Sequence, residues 1–155
     1  MRPLVLLLCL SSLISLTSCT TSRGPASRLG AISFDWPVDK ARLTQKFKAS
    51  GKGKHWGLDL AARKGTPIFA AHKGRIVYAG QGFSGYGKLI IVEYQKTWAS
   101  FYSHLDTFLV NQGQWVKRGQ KIATMGRTGR ATGNHLHFEL RKNKKPLNPL
   151  AYLPR

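Results

Sequence analysis

Short apolar segments separated by glycine-rich stretches run along most of the chain. Seven of them have strand length and contain β-branched and aromatic residues; they cover residues 66–71, 75–79, 88–94, 98–105, 107–110, 121–125 and 136–141. None carries an apolar stripe of helical period over ten or more residues. The pattern predicts an all-β fold, a compact antiparallel structure with glycine-rich loops.

The amino-terminal residues have a different pattern. Arg2 is followed by an almost entirely apolar or small stretch, 3–16, which is shorter than the about 20 residues that a membrane-spanning helix needs. A positively charged amino-terminal region, a short apolar segment and small residues before a cleavage site are typical of a secretory signal peptide. Residues 16–19, Leu-Thr-Ser-Cys, also resemble the lipobox of bacterial lipoproteins, which implies cleavage before Cys19 and lipidation of its sulfur. The alternative is ordinary cleavage nearby that leaves Cys19 free.

These features divide the chain into three parts. Residues 1–18 are predicted to be a lipoprotein signal peptide, and 19–30 to be the lipidated Cys19 and a flexible tether rich in Thr, Ser, Gly, Pro and Arg. Residues 31–155 show no second domain and no repeat. Cys9 and Cys19 both lie in the first 19 residues, which excludes a disulfide scaffold.

The charge balance indicates anionic partners. The 155 residues include 25 Lys+Arg and 6 Asp+Glu, for a formal net charge of +19, and loss of Arg2 with the signal would leave +18. Such a field attracts polyanions. Export argues against nucleic acid as the natural partner and favours the cell wall and lipid head groups. A solvated basic surface that only keeps the protein soluble is the alternative.

The last predicted strand carries two histidines on one face. His135, His137 and Glu139 share that face, and the three residues between and after them are apolar. On a strand the two imidazoles lie roughly 6.6 Å apart at Cα. That spacing suits one metal ligand and one neighbour that reaches a coordinated water.

A second element is the sequence His55-Trp56-Gly57-Leu58-Asp59. In a straight strand its outer residues would be about 13 Å apart at Cα, too far for both to bind one ion at about 2 Å. The segment must therefore bend, and Gly57 permits the dihedral angles of a bend.

A third element ends in His104. Within the predicted strand 98–105, His104 shares a face with Ser100 and Tyr102 and falls at the strand end, where site residues collect. Together the three elements predict a metal site, because two imidazoles and one carboxylate with a fourth position for water are the ligand pattern of catalytic zinc. His72 has no such neighbours and is interpreted as a surface-turn histidine.

The motifs and their order resemble a known family. They are His55-Trp56-Gly57-Leu58-Asp59, Lys64-Gly65-Thr66-Pro67-Ile68, Gly85-Tyr86-Gly87-Lys88-Leu89-Ile90-Ile91, Tyr102-Ser103-His104-Leu105, Gly126-Arg127-Thr128-Gly129, Thr132-Gly133-Asn134-His135-Leu136-His137-Phe138-Glu139 and Asn148-Pro149-Leu150. Over residues 53–154 the chain resembles the M23 peptidases, the lysostaphin-type or LytM-type zinc peptidases of bacterial cell walls.

The resemblance implies a fold and a site. The fold is a compact antiparallel two-sheet domain with a groove between glycine-rich loops, for which residues 80–87 and 126–133 are the candidates. The ligands of one Zn²⁺ per chain would be His55, Asp59 and His137. His104 and His135 would be the catalytic residues that act on the attacking water and the substrate.

The implied activity is that of a zinc metalloendopeptidase that hydrolyses peptide bonds of peptidoglycan cross-links or stem peptides in wall remodelling or division. Glu139 would either orient an imidazole or be a surface carboxylate. Asn134 stands where many M23 members have proline before the His-x-His. Residues 121–126 and 148–154 also resemble the lipoprotein branch that activates wall amidases, whose members commonly lack zinc ligands; this chain keeps every ligand position.

Two other functions therefore stay open: a non-catalytic activator of a cell-wall amidase, and a basic wall-binding module. The expected partners are peptidoglycan, a membrane through lipidated Cys19 and a wall amidase or division protein. The expected location is the cell envelope. In a Gram-negative cell it would be the outer membrane, facing the periplasm, because Thr20 and Thr21 follow Cys19 without an Asp.

Overall fold

The computed structural model describes residues 32–155. Its strands are β1 (Arg42–Gln45), β2 (Leu58–Ala61), β3 (Pro67–Phe69), β4 (Gly74–Gly80), β5 (Leu89–Tyr94), β6 (Trp98–Ser103), β7 (Leu105–Phe108), β8 (Trp115–Val116), β9 (Lys121–Met125), β10 (His135–Lys142) and β11 (Lys145–Leu147), followed by a 3₁₀ helix, Pro149–Ala151. Within this range there is no α-helix, and nothing helical is long and apolar enough to span a membrane. The predicted signal peptide, Cys19 and the tether lie outside the described residues and stay predictions.

The strands form two antiparallel sheets. The larger sheet has the order β1-β2-β10-β6-β5-β4-β8, with β11 paired to β10, and the smaller has the order β3-β9-β7. The all-β, two-sheet prediction is confirmed.

All seven predicted strands are present, and four further strands were not predicted. β8 and β11 have two and three residues, too few to stand out as apolar segments of strand length. β1 is largely exposed and β2 follows a bend, so neither stands out as an apolar run. These missed strands still matter, because β1 and β2 form the edge of the large sheet beside β10.

One face of the paired strands β2 and β10 packs into the hydrophobic core. Leu136 pairs with Leu60 and Phe138 with Leu58, and all four side chains are almost completely buried. Phe138 also packs on Tyr102 of β6, with ring centroids 5.4 Å apart. Because side chains alternate along a strand, the residues between these apolar positions project from the opposite, open face of the sheet.

His72 is part of the interior, so its interpretation as a surface histidine is wrong. The side chain is 0% exposed. Its Nδ1 donates to the Lys73 carbonyl oxygen at 2.7 Å, which leaves Nε2 to accept from the Ser100 hydroxyl at 2.9 Å. Ser100 is in turn hydrogen-bonded to the Tyr102 hydroxyl at 2.9 Å. Burial lowers the pKa of His72, against the bond to the Lys73 carbonyl, which raises it.

Candidate metal centre

The pairing of β2 with β10 places Asp59 directly opposite His137 on the open face of the large sheet. Asp59 Oδ1 lies 2.8 Å from His137 Nδ1. His55 Nε2 lies 3.0 Å from each of these two atoms, although His55 precedes His137 by 82 residues. These three predicted ligands form the group that could hold a metal ion in the described part of the chain.

The bend between His55 and Asp59 is present. Glycine is required at position 57, but for a different reason from the expected one. Gly57 does not have a left-handed φ. A Cβ at this position would instead come closer than 3.0 Å to the backbone carbonyl of Phe138. Glycine is therefore required because β10 passes directly over it, and that close approach brings the bend against the His-x-His strand.

His104 reaches the centre through an unusual backbone conformation. Its neighbour Ser103 pairs with His137 on the open face, so regular alternation would direct His104 into the core with Tyr102. His104 instead has φ 60°, a left-handed conformation that is uncommon for residues other than glycine and that collects at functional sites. Its ring lies 4.6 Å from that of His135, centroid to centroid. The expected position at a strand end is confirmed, whereas the face it was expected to share with Ser100 and Tyr102 is not.

Each of the four imidazoles is fixed by a hydrogen bond on the side that faces away from the centre. The bonds are His55 Nδ1 to the Lys46 carbonyl at 3.0 Å, His104 Nδ1 to the Thr128 carbonyl at 2.7 Å, His135 Nδ1 to the Gly133 carbonyl at 2.9 Å and His137 Nε2 to Glu139 Oε1 at 3.1 Å. Because the acceptors are oxygens that hold no proton, each bonded ring nitrogen carries the proton. The other nitrogen of every ring then faces the centre, where it can bind a metal ion or a proton.

This arrangement fits a divalent metal ion. The facing nitrogens of His55 and His137 are 3.0 Å apart, and both contact the Asp59 carboxylate oxygen. Three acceptor atoms repel one another unless a cation or a proton lies among them. In a tetrahedral site with ligand distances of about 2.0–2.1 Å, the donor atoms are roughly 3.3 Å apart, close to the observed spacing.

The pKa values of His137 and Asp59 indicate how a proton can take the place of a metal ion among the three ligands. Burial by itself lowers the pKa of His137, but its bonds to Asp59 and Glu139 outweigh this and raise it to about 9. Burial raises the pKa of Asp59, and the bonds and charges of His137 and His55 lower it well below its usual range. Binding of a metal ion by these three residues would therefore displace a proton from His137, and its affinity would rise with pH.

His104 differs from His137 in its charge. Burial lowers the pKa of His104 to about 4, although the bond to the Thr128 carbonyl opposes this shift. The side chain is neutral near pH 7, with a free lone pair on Nε2. His135, whose Nε2 is 3.9 Å from Asp59 Oδ1, lies on the same side of the centre. Both are placed to accept a proton beside the ligand group.

Glu139 lies beneath His137 and is 0% exposed, so it is not a surface carboxylate. Besides His137, it accepts from the Tyr86 hydroxyl at 2.7 Å and from Arg141, whose Nε and Nη2 lie 2.7 and 2.6 Å from Oε2. Burial raises the pKa of Glu139, and these hydrogen bonds and the Arg141 charge lower it. These contacts of Tyr86 and Arg141 with Glu139 were not predicted. The alternation that singled out the two histidines and Glu139 extends one step further to Arg141, whereas nothing in the sequence links Tyr86 to them.

The centre opens into a groove of about 390 Å³. Its lining consists of Gln45, His55, Asp59, Ser84, Gly85, Tyr86, His104, Arg130, Thr132, His135 and His137. Both predicted glycine-rich loops contribute to it. They also contact each other, because the Arg130 amide donates to the Gly85 carbonyl at 2.9 Å and a Cβ at either Gly87 or Gly129 would come closer than 3.0 Å to the other loop.

Comparison with protein families then gives an identification. The model of the family described as "Peptidase family M23" matches residues 53–149, a range that contains all five predicted site residues. The chain belongs to peptidase family M23. The sequence resemblance is thereby confirmed at the level of the family.

Two curated M23 relatives have names that concern the cell wall or the envelope. The chain is 45% identical to "Murein hydrolase activator NlpD" of Salmonella dublin over 137 residues, which is 88% of this chain and 34% of that protein. It is 52% identical to "Lipoprotein NlpD" of Yersinia enterocolitica over 96 residues, 62% of this chain and 98% of the relative. The chain thus spans about a third of the length of the Salmonella activator.

Among solved structures, the M23 domain resembles a zinc containing peptidase from Vibrio cholerae. The TM-score is 0.72 with 36% sequence identity, and the match covers 79% of this chain and 41% of that one. The two-sheet architecture is therefore shared with a protein whose name includes both the metal and the activity.

Proposed function

We propose that this M23 domain is a zinc-dependent endopeptidase that hydrolyses peptide bonds in peptidoglycan cross-links or stem peptides. One observation carries the proposal: four imidazoles are held by fixed acceptors, so that the second ring nitrogen of each is left to bind a cation or a proton beside the Asp59 carboxylate. Such a set costs free energy to assemble without a cation. The Vibrio cholerae structure, named as a zinc containing peptidase, supports zinc as the ion.

In this function His55, Asp59 and His137 hold the ion, and His104 and His135 act on the reacting groups. Zinc when bound supplies Lewis acidity, which polarises a carbonyl and lowers the pKa of water. The neutral His104 accepts a proton from the attacking water at Nε2, while the Thr128 carbonyl stabilises the positive charge that develops on the ring.

His135 has the same arrangement with Gly133 as its acceptor. The proton that His104 accepts from the water passes on to the leaving amine, while His135, when protonated at Nε2, stabilises negative charge on the substrate carbonyl oxygen. Glu139 does not serve as the base in this scheme, because its carboxylate is already occupied by His137, Tyr86 and Arg141.

A second candidate function is activation of a murein hydrolase, such as a wall amidase, without cleavage by this chain. The name of the Salmonella dublin relative supports this function more directly than it supports a peptidase. An activator acts through contact with its partner enzyme, so that it does not need the histidines to be oriented towards a metal. The two functions therefore differ in their dependence on the centre.

In either function the proposed partners are peptidoglycan, a membrane through lipidated Cys19, and a wall amidase or division protein. The proposed location is the cell envelope, with the outer membrane as the anchoring membrane in a Gram-negative cell. Support comes from the lipobox-like residues 16–19 and from the relative that is named a lipoprotein.

Digestion of purified sacculi by the full chain tests the proposal. With added zinc, we expect the wild type to release new muropeptides, identified by mass spectrometry, and His137→Ala to release none and to lose bound zinc. His72→Gln is the matched control, because His72 lies in the core outside the centre, and it should keep both properties.

The alternative has its own result in the same assay. If zinc-loaded wild type releases nothing, but wild type and His137→Ala both stimulate an added wall amidase, the activator function is supported and the peptidase proposal fails. Cleavage by His137→Ala equal to the wild type would contradict the site assignment.

A further inference from the structure

A second and larger cavity lies at the β1–β2 edge of the large sheet, apart from the metal groove. Its volume is about 610 Å³. The functions proposed above leave it unused. Its wall includes the apolar side chains of Ala62, Pro67 and Phe69, and its polar residues are mostly cationic.

The register of the sheet connects this cavity to the metal centre. Arg42 of β1 pairs with Ala61 of β2, and Ala61 pairs with His135 of β10. Ala61 is two residues from Asp59 and therefore shares its open face. Arg42, Ala61 and His135 thus form one row across three strands. Adjacent strands lie about 4.8 Å apart, so this row extends roughly 10 Å from the catalytic histidine to the cavity.

The cavity has an excess of positive charge. Lys40, Arg42 and Arg63 line it together with a single acid, Asp39. None of the three cations forms an ion pair within residues 32–155, whereas Arg118 and Arg141 each pair with a carboxylate. Two arginines beside an apolar wall suit a carboxylate carried on an organic chain, because guanidinium groups bind carboxylates through paired N–H bonds.

We infer that this cavity is an anion subsite, in which Arg42 and Arg63 bind a carboxylate of the peptide that occupies the metal groove. An extended peptide advances about 3.3–3.6 Å per residue, so the carboxylate would lie about three residues from the bond at the metal centre. The inference rests on the proposed wall-peptide substrate and specifies it further: the site would select peptides with free carboxylates over neutral glycine bridges.

Binding of defined muropeptides tests this subsite. The probes are one purified cross-linked muropeptide with free carboxylates and the same muropeptide with its carboxylates amidated, titrated calorimetrically into the metal-free full chain so that no cleavage occurs. We expect the wild type to prefer the free carboxylates by about tenfold. Arg42→Gln/Arg63→Gln should lose that preference.

The matched control removes the same charge elsewhere. Arg75 and Arg155 are exposed and lie outside the lining of the cavity and of the metal groove. Arg75→Gln/Arg155→Gln should therefore keep the preference of the wild type. A preference that survives in Arg42→Gln/Arg63→Gln, falls equally in the control, or is absent from the wild type would overturn the inference, as would failure of both probes to bind.

The outcome is separable from that of the proposed function. If the preference depends on Arg42 and Arg63 but the zinc-loaded chain never cleaves sacculi, the subsite stands and the peptidase proposal fails. If the chain cleaves sacculi but binds both probes equally, the peptidase proposal stands and the subsite fails.

Discussion

At the scale of single residues, the orientation of His137 depends on one buried carboxylate. Glu139 accepts from His137 Nε2 and is itself fixed by Tyr86 and Arg141, whose guanidinium carbon lies 4.1 Å from the centre of the Phe101 ring. This chain of contacts turns Nδ1 of His137 toward Asp59. Partners of this kind set the orientation and the basicity of a metal-binding imidazole.

Glu139→Gln tests this role. The glutamine can still accept from His137 but carries no charge, so the imidazole becomes a weaker ligand and the Arg141 charge loses its partner. We expect zinc affinity, measured by competition with a chelator, to fall by roughly 10- to 100-fold.

The control for this substitution is Glu93→Gln, the same change on β5 and outside the centre. It should bind zinc as tightly as the wild type does. Unchanged zinc affinity in Glu139→Gln would show that the buried carboxylate does not support the ligand.

At the scale of elements, the two glycine-rich loops are one packed unit. Thr128 contributes to this unit through both its carbonyl, which holds His104, and its side-chain oxygen, which accepts from the Lys88 amide at 2.9 Å. Gly129 has φ +73° and contacts Gly87 backbone to backbone. A change in this contact should therefore alter the hydrogen bond that positions His104.

Gly129→Ala should destabilise the protein by roughly 1–3 kcal/mol, because alanine is strained at this φ and its Cβ would collide with the other loop. Urea denaturation measures the loss. Gly133→Ala, in the same loop, is the matched control: its Cβ would meet nothing within 4 Å, and its φ is not left-handed. Equal stability of the two variants would contradict the packed-loop interpretation.

At the scale of the whole molecule, the core contains a histidine whose neutral form is favoured by burial. His72 is completely buried, and its pKa is lowered from 6.5 by that burial. Near and below pH 6.5 the unfolded chain therefore binds a proton at His72 more readily than the folded chain does. The free energy of unfolding then falls as the pH falls.

The comparison of wild type with His72→Gln measures this effect. Both proteins are unfolded in urea with chelator present, from pH 7.5 down to pH 5, so that the titration of the metal centre is common to both. We expect the wild type to lose stability more steeply below pH 6.5, by up to about 1.4 kcal/mol per pH unit. If the free energies of unfolding of the two proteins instead change with pH in parallel, His72 binds a proton equally well in the folded and the unfolded chain.

The sequence by itself determined much of this architecture. The alternation around His135 and His137 predicted a strand with an apolar core face and a histidine face, and this face pattern holds because strand geometry is local. The spacing of His55 and Asp59 likewise predicted a bend. The order of the motifs indicated the M23 family, to which the chain belongs.

Only the tertiary structure decided how these groups meet. The register of β2 against β10 places Asp59 opposite His137 across 78 residues of sequence, and no local pattern encodes a register between distant strands. The left-handed conformation of His104 and the close approach at Gly57 likewise depend on neighbours far along the chain. Tyr86 lies 53 residues from Glu139, so only the folded loops bring its hydroxyl to that carboxylate.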